Sequence, residues 1–277
     1  MNDMRPNRAV HTTNSGRFTY TTIRLAVLFG AFLIILLNPF INYFLHNNFL
    51  QGWYQSIAVG SLWFVSPLEG LESLLISRDI FMPSIIGMAI PVTLAFLLGR
   101  VFCSWICPVT FFLELLDRLR KIIAGKQYLK NKLIVAKKVL WFTLIGELLL
   151  SMIIGAPLFV FLSPPGLIGR EVMILVFFRT FALEGLLLLL ILLLELLTRR
   201  CFCRSFCPLG GLLACIGQKR KLQVVLSAEQ CIDCGICSKA CPMGLLPQQN
   251  EGRSPYCWNC GECVDRCTTD ALSFQWK

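Results

Sequence analysis

Histidine is almost absent from this chain of 277 residues, which contains only His11 and His46. No C-x-x-C-H sequence occurs, so covalent haem attachment is excluded and a haem held by two histidines is not expected. The chain also lacks a G-x-G-x-x-G fingerprint and a Walker A sequence. Neither nicotinamide oxidation nor ATP hydrolysis is therefore supported.

Charged side chains are scarce as well. They make up 15% of the residues, whereas 56% are hydrophobic and the mean hydropathy is +0.66. This composition is typical of a bilayer protein. Four apolar runs, at about 23–45, 80–101, 138–162 and 172–197, are each long enough to cross a hydrocarbon core as a helix. The sequence therefore predicts an all-α membrane bundle of four transmembrane helices.

The basic residues are distributed unevenly along the chain. The N-terminal tail and the connection between the second and third apolar runs are rich in Lys and Arg, whereas the other two connections are not. Because cytoplasmic loops retain positive charge, we expect a multi-pass protein of the bacterial cytoplasmic (inner) membrane with both termini in the cytoplasm. The net charge of +10 is then a topology signal that also favours contact with membrane lipid, and a nucleic-acid partner is not expected.

Cysteine, by contrast, is abundant, with 14 residues. Because the cytoplasm keeps thiols reduced, metal or redox ligation is a better interpretation than structural disulfides. Two runs near the C terminus have the spacing C-x2-C-x2-C-x3-C. They consist of Cys231, Cys234, Cys237 and Cys241, and of Cys257, Cys260, Cys263 and Cys267.

This spacing is typical of proteins that hold two 4Fe-4S clusters, in which the fourth Cys of each run binds the other cluster. The alternative is a pair of zinc sites, but zinc has no need for a third Cys two residues after the second. Short strands at 222–226 and 271–276 should pair, so a small α+β bacterial-type two-cluster ferredoxin domain is predicted. The crossed ligand sets are Cys231, Cys234, Cys237 and Cys267, called set A, and Cys257, Cys260, Cys263 and Cys241, called set B.

The membrane half contains an internal repeat. G-R-V-F-C-S-W-I-C-P at 99–108 aligns with R-R-C-F-C-R-S-F-C-P at 199–208, and F-V-S-P at 64–67 matches F-L-S-P at 161–164. Each half is therefore predicted to be a helix, an outside loop with Ser-Pro, a second helix and a Cys motif at the inner face. We call the four cysteines of the two motifs the C-x3-C-P cysteines; they are Cys103, Cys107, Cys203 and Cys207.

The two cysteines of one C-x3-C-P motif can lie on one side of a helical turn, because residues i and i+4 are neighbours there. The duplication should bring both pairs to the same depth, so that four thiols converge. We expect a third redox centre, most simply another iron–sulfur cluster, with a redox thiol/disulfide pair or another metal as variants. The alternative is that these are reduced, buried small residues at helix ends, where Pro stops the helix.

Three ionisable residues within the apolar runs, Glu147, Arg179 and Glu184, are candidates for a chemical role. Such residues are costly in lipid and usually face a bundle interior, where they serve a proton or ligand path. We therefore predict that they assist a reaction inside the bundle. An ion pair between Glu147 and Arg179 that only fixes helix packing is the alternative.

The combination of two C-x3-C-P motifs with two ferredoxin motifs resembles the NapH-type membrane quinol dehydrogenase components of periplasmic nitrate reductase systems. These belong to a wider group of four-span ferredoxin-type proteins that includes a methylamine-utilisation homologue. The resemblance covers nearly the whole chain. It implies oxidation of quinol from the membrane quinone pool and electron transfer to a periplasmic ferredoxin-type or haem protein.

The predicted organisation is a basic cytoplasmic tail (1–22), a four-helix transmembrane domain (23–220) and a cytoplasmic ferredoxin domain (221–277). A bilayer core of about 30 Å is too thick for a single tunnelling step, so reverse flow, from the cytoplasm to quinone, stays open. An accessory membrane ferredoxin reductase that supplies electrons for metalloenzyme maturation or reactivation is the alternative function. A redox sensor is a third, which would need an output domain.

Overall fold

The computed structural model describes residues 19–45, 50–52, 56–59, 62–79, 82–125, 136–180 and 185–277. The helices of the first half are α1 (Tyr20–Leu45), α2 (Pro67–Ser77), α3 (Met82–Leu98), α4 (Val101–Trp105) and α5 (Pro108–Ala124). Those of the second half are α6 (Val139–Ile154), α7 (Leu158–Leu162), α8 (Pro164–Phe178), α9 (Gly185–Leu197) and α10 (Pro208–Ile216), with a π-helical turn at Phe202–Phe206.

A small antiparallel sheet lies between α1 and α2. Its strands are β1 (Leu50–Gly52), β2 (Ser56–Val59) and β3 (Leu62–Val65), in the spatial order β1-β2-β3. The prediction of an all-α membrane half is therefore wrong in this segment. The backbone of β3 packs directly on α3, since a Cβ atom added at Gly87 would lie 2.1 Å from the carbonyl oxygen of Trp63.

Among the described residues, α1 alone is long and apolar enough to cross a membrane, over Tyr20–Asn38. Three shorter apolar helices, Met82–Leu98, Val139–Ile154 and Gly185–Leu196, fall in the other predicted spans. At 1.5 Å per residue, α3, α6 and α9 measure about 26, 24 and 20 Å, against a hydrocarbon core of about 30 Å. The four-span bundle thus stays a prediction.

The predicted continuous helix at 172–197 is wrong. The chain forms two helices instead, because α8 ends at Phe178 and α9 begins at Gly185. Arg179 caps α8 in the left-handed conformation, with φ 52°, which terminates a helix. Hydropathy does not register this stop, because Arg179 and Glu184 are isolated charges within an otherwise apolar run.

The two halves start their helices in the same way. Ser66 and Ser163 each precede a helix with Pro at its beginning, namely α2 and α8, and Cys107 and Cys207 do the same for α5 and α10. Proline suits this place because the first helical amides have no partner within the helix. The internal repeat is therefore visible in the structure, although α5 has 17 residues and α10 only 9.

The C-terminal domain contains β4 (Leu222–Leu226), α11 (Ile236–Ala240), α12 (Glu262–Asp265) and β5 (Leu272–Trp276). The predicted pairing of its terminal strands is confirmed, with Leu222 opposite Trp276 and Leu226 opposite Leu272 in an antiparallel ladder. Gly235 and Gly261, which precede α11 and α12, have φ values of 69° and 78°. This left-handed backbone favours glycine and turns each Cys run back on itself.

The C-terminal domain is held against the preceding part of the chain by hydrogen bonds from several elements. The Asn259 amide donates to the carbonyl oxygen of Leu98 at 2.9 Å and, within the domain, to that of Leu222 at 3.0 Å. The Ser104 hydroxyl donates to the carbonyl oxygen of Trp258 at 2.6 Å. Because buried polar contacts of this kind are costly to lose, the two parts form one packed body.

Helix α1 contributes a further attachment to the C-terminal domain. The carboxylate of Asp265 accepts from the backbone amides of Tyr20 (3.0 Å) and Thr21 (2.7 Å). It thereby satisfies amides that have no partner within the first turn of α1. The start of the longest apolar helix is thus fixed to α12.

Candidate iron–sulfur sites and their charged interface

Two cavities in the C-terminal domain are each surrounded by thiols. One is lined by the four cysteines of set A, and the other by the four cysteines of set B. The fold therefore brings together the crossed combinations and separates the two sequential runs. An iron–sulfur cube needs thiolates around a void, which these cavities provide. No three His, Cys, Asp or Glu side chains of the described residues are arranged around a single metal ion.

The C-x3-C-P cysteines also converge. Cys103, Cys107, Cys203 and Cys207 belong to, or pack against, one buried cluster. Burial raises the pKa of Cys107 to about 12, and the nearby thiol of Cys103 adds to this rise. Burial likewise raises the pKa of Cys207 to about 12, and the thiols of Cys103 and Cys107, both from the other motif, add to it. The cysteines of the two halves are thus near enough to interact. A bound metal would have to displace protons from all of them.

Each C-x3-C-P motif ends in the same wide turn. The amide of Cys107 donates to the carbonyl oxygen of Phe102, and that of Cys207 to the carbonyl oxygen of Phe202, both at 3.0 Å. These bonds span five residues, a π-helical pattern that often marks functional sites. The sulfur of Cys207 also accepts from the amide of Gly210 at 3.4 Å. Amides at the start of a helix favour a thiolate.

Arg100 lies between the C-x3-C-P cysteines and set B. It is 1% exposed, and its Nη2 atom donates to the carbonyl oxygen of Cys203 at 2.9 Å. Burial raises the pKa of Cys103 and of Cys257, and the guanidinium of Arg100 acts against this rise at both thiols. A Cβ atom at Gly210 would lie 2.5 Å from Nη2, so a larger residue there would displace the guanidinium. One cation therefore serves both groups of thiols.

A second group of buried charges joins the preceding part of the chain to the C-terminal domain. Arg24 and Arg200 both contact the carboxylate of Glu114 at 2.8 Å. Burial alone would raise the pKa of Glu114, but these two guanidiniums outweigh it and lower the pKa to about 2. Arg199 pairs with Asp117 of α5 at 2.9 Å and with Glu262 of α12 at 3.0 Å. The partners come from distant parts of the chain.

Several buried N–H groups around the thiols have no hydrogen-bond partner among the described residues. They are Nε of Arg100, Nε and Nη1 of Arg24 and Arg200, and Nε1 of Trp258. Buried donors are normally paired, and cluster sulfur atoms accept such bonds, which tune the cluster potential. The charges and donors of this interface therefore fit iron–sulfur centres held by the nearby cysteines.

The other predicted site residues are not gathered in this way. Glu184 lies outside the described residues. Arg179 is exposed at the end of α8, and Glu147 is half-buried on α6. Of the described residues, Glu147 and Arg179 form no ion pair with each other, so the packing alternative is not realised. The structure does not bring these two residues together.

Sequence reasoning missed a more deeply buried carboxylate, Glu72 on α2, which is 0% exposed. It accepts from the Ser151 hydroxyl at 2.7 Å and from the Phe159 amide at 3.1 Å. Its burial raises its pKa. The available signal in the sequence was its place among Leu71, Leu74 and Leu75.

Comparison with known proteins gives the same chemistry. A family model described as a 4Fe-4S binding domain matches residues 80–127 and 180–224, each containing one C-x3-C-P motif. A model described as a 4Fe-4S dicluster domain matches residues 230–272. The fold and the cysteine sites therefore define a ferredoxin-type electron-transport protein with 4Fe-4S domains.

Three relatives show the extent of the similarity. An uncharacterised protein of Methanocaldococcus jannaschii is 31% identical over 68% of this chain and 77% of its own length. The ferredoxin-type protein NapH of Haemophilus influenzae is 29% identical over 81% and 80%, and the methylamine utilization ferredoxin-type protein MauN of Methylobacillus flagellatus is 31% identical over 68% and 64%. No solved structure matches. The chain belongs to the family of ferredoxin-type electron-transport proteins that includes NapH and MauN.

Proposed function

We propose that the protein is a membrane-bound quinol dehydrogenase subunit, which passes electrons from quinol through iron–sulfur clusters to a partner redox protein of a periplasmic nitrate reductase-like system. Sets A and B would each hold one 4Fe-4S cluster, and the C-x3-C-P cysteines would hold a third. Such clusters supply one-electron transfer, which divides the two electrons of a quinol.

The observation that supports this proposal best is the continuous packing of the three cysteine groups. Cys103 and Cys203 belong to the same buried cluster as Cys241 and Cys260 of set B. Cys263 of set B belongs with residues of set A to the adjoining buried cluster. Electrons would therefore pass between the C-x3-C-P site and set A by way of set B. Arg100 lies beside the step between the C-x3-C-P site and set B.

Exposed apolar surface supports the membrane location. Ile86 on α3, Phe142 on α6 and Leu186 on α9 are each more than 60% exposed, which is unusual for a surface in water. We propose that α1, α3, α6 and α9 cross the bacterial inner membrane, that 23–220 is the membrane domain and that both termini and the 221–277 domain are cytoplasmic. The roles of Arg179 and Glu184 stay predictions.

The accessory-reductase alternative is favoured by the surface at set A. Cys234 is exposed, and its neighbour Ile232 is 67% exposed. A soluble cytoplasmic protein could exchange electrons there. A respiratory subunit should copurify with its terminal enzyme in a fixed ratio, whereas an accessory reductase should not.

Iron content tests the number of centres. Anaerobically purified protein should hold about twelve irons per chain, from three four-iron cubes. Cys203→Ser should lower this by about four, whereas the matched control Cys215→Ser, at an exposed cysteine outside the motifs, should not. About eight irons in the unmodified protein, or no loss in Cys203→Ser, would remove the third cluster from the proposal.

A further inference from the structure

An apolar cavity of about 430 Å³ lies against the C-x3-C-P motifs. At one end it is lined by Phe102 and Ile106, which flank Cys103 and Cys107, and by Leu209, which follows Cys207. At the other end it is lined by Pro67, where α2 begins, and by Phe159. The cavity therefore extends from the thiols towards the outer loop elements of both halves.

The buried carboxylate of Glu72 is not part of the cavity lining but lies behind one of its residues. That residue is Phe159, which lines the cavity and whose amide donates to Glu72. Among the described residues, the titratable groups that interact with Glu72 are the carboxylates of Glu69 on α2 and Glu147 on α6, and no Lys or Arg pairs with it. A buried carboxylate without a counter-charge binds a proton readily.

We propose that this cavity binds the quinol and that Glu72 is the group that accepts its protons. The inference rests on the proposed quinol oxidation and adds its location and its base. The apolar walls suit a quinone ring and isoprenoid chain, and a small neutral head group needs few polar contacts. Ser66, which lines the same end, is 8% exposed and has a hydroxyl without a partner in the described residues.

The reaction balances with these groups. Quinol would become quinone by loss of two protons and two electrons. The cysteines would hold the iron–sulfur clusters that accept these electrons one at a time. The Glu72 carboxylate takes the first proton from a quinol hydroxyl and becomes a carboxylic acid. After it has released that proton to the outer side, it takes the second. Glu147, near Glu72 but on α6, would act later on the proton path.

Cavity occupancy is tested by Ala95→Phe, which places a ring in the cavity from α3, with Ala89→Phe, on an exposed part of the same helix, as the matched control. Anaerobic protein is labelled with a photoreactive quinone, and the labelled peptides are identified by mass spectrometry. We expect label on 64–67 or 90–106 in the unmodified protein and in Ala89→Phe, and at least a tenfold loss in Ala95→Phe. Label elsewhere, or undiminished in Ala95→Phe, would overturn the location.

The base is tested separately by Glu72→Gln, with Glu72→Asp as the conservative variant. Glu72→Gln should retain quinone labelling and iron content but slow cluster reduction by a menaquinol analogue at least tenfold, and Glu72→Asp should recover part of the rate. An unchanged rate in Glu72→Gln would exclude Glu72 as the acceptor. If quinol does not reduce the unmodified protein at all, the proposed function fails. The labelling result still shows whether the cavity binds quinone. If Ala95→Phe loses iron, Leu98→Trp, which also fills the cavity, is used in its place.

Discussion

Replacing Arg199 by methionine should weaken the attachment of the C-terminal domain to the preceding part of the chain. Arg199 is 2% exposed, and all its guanidinium nitrogens are used. It donates to Asp117 at 2.9 Å, to the carbonyl oxygen of Ala240 at 2.7 Å and to both carboxylate oxygens of Glu262 at 3.1 and 3.0 Å. Methionine fills part of the volume but leaves two carboxylates and a carbonyl group without their main donor.

The size of the effect follows from the burial of these partners. Removing one member of a buried ion pair costs about 3–5 kcal/mol, because the remaining charge is left uncompensated. Lys121 contacts the same Glu262 at 3.7 Å, but it is 23% exposed. Such a partly solvated pair contributes less than about 1 kcal/mol. Lys121→Met is therefore a matched control that removes a cation from the same carboxylate.

Hydrogen exchange of the β4 amides measures the free energy of local opening. Because about 1.4 kcal/mol corresponds to a tenfold change in an equilibrium constant, Arg199→Met should accelerate this exchange by roughly a hundredfold to several thousandfold. Lys121→Met should change it by less than about fivefold. Equal protection in Arg199→Met and the unmodified protein, or equal effects of both variants, would refute the assignment of Arg199 as the main attachment.

Three other outcomes are expected. Arg100→Gln should lower the reduction potentials of the C-x3-C-P and set B centres by on the order of 100 mV, from a Coulomb energy of about 2 kcal/mol at an effective dielectric constant of 20. Unchanged potentials in a redox titration, or an equal shift in the half-buried control Arg118→Gln, would contradict this. Glu147→Gln should slow quinol oxidation with iron content intact, and unchanged turnover would leave it a packing residue. A reporter fused after Lys277 should be active only in the cytoplasm, and periplasmic activity would disprove the topology.

The cysteine groups could be found from the sequence because ligand spacing is local. The three short gaps of each ferredoxin run, and the known crossing of the fourth ligand, indicated which thiols share each cavity. The repeat of C-x3-C-P likewise indicated that four distant thiols meet. Strand pairing at 222–226 and 271–276 followed from two apolar β-rich segments at the ends of one small domain.

The buried ion pairs could not be found in this way. Arg199 and Glu262 are far apart in the chain, and each has ordinary neighbours in the sequence. Their pairing depends on how the C-terminal domain docks. Glu72 was missed as well, because an acidic residue in an outer loop is usually solvated. The break after Phe178 was missed because one left-handed residue ends a helix without changing its hydropathy.

The central claim is that quinol reduces the iron–sulfur centres of this chain. Electron paramagnetic resonance of the anaerobically purified protein, before and after addition of a reduced menaquinol or ubiquinol analogue, tests it most directly. A reduced-cluster signal is expected when quinol is added. A signal obtained with dithionite but not with quinol would contradict it.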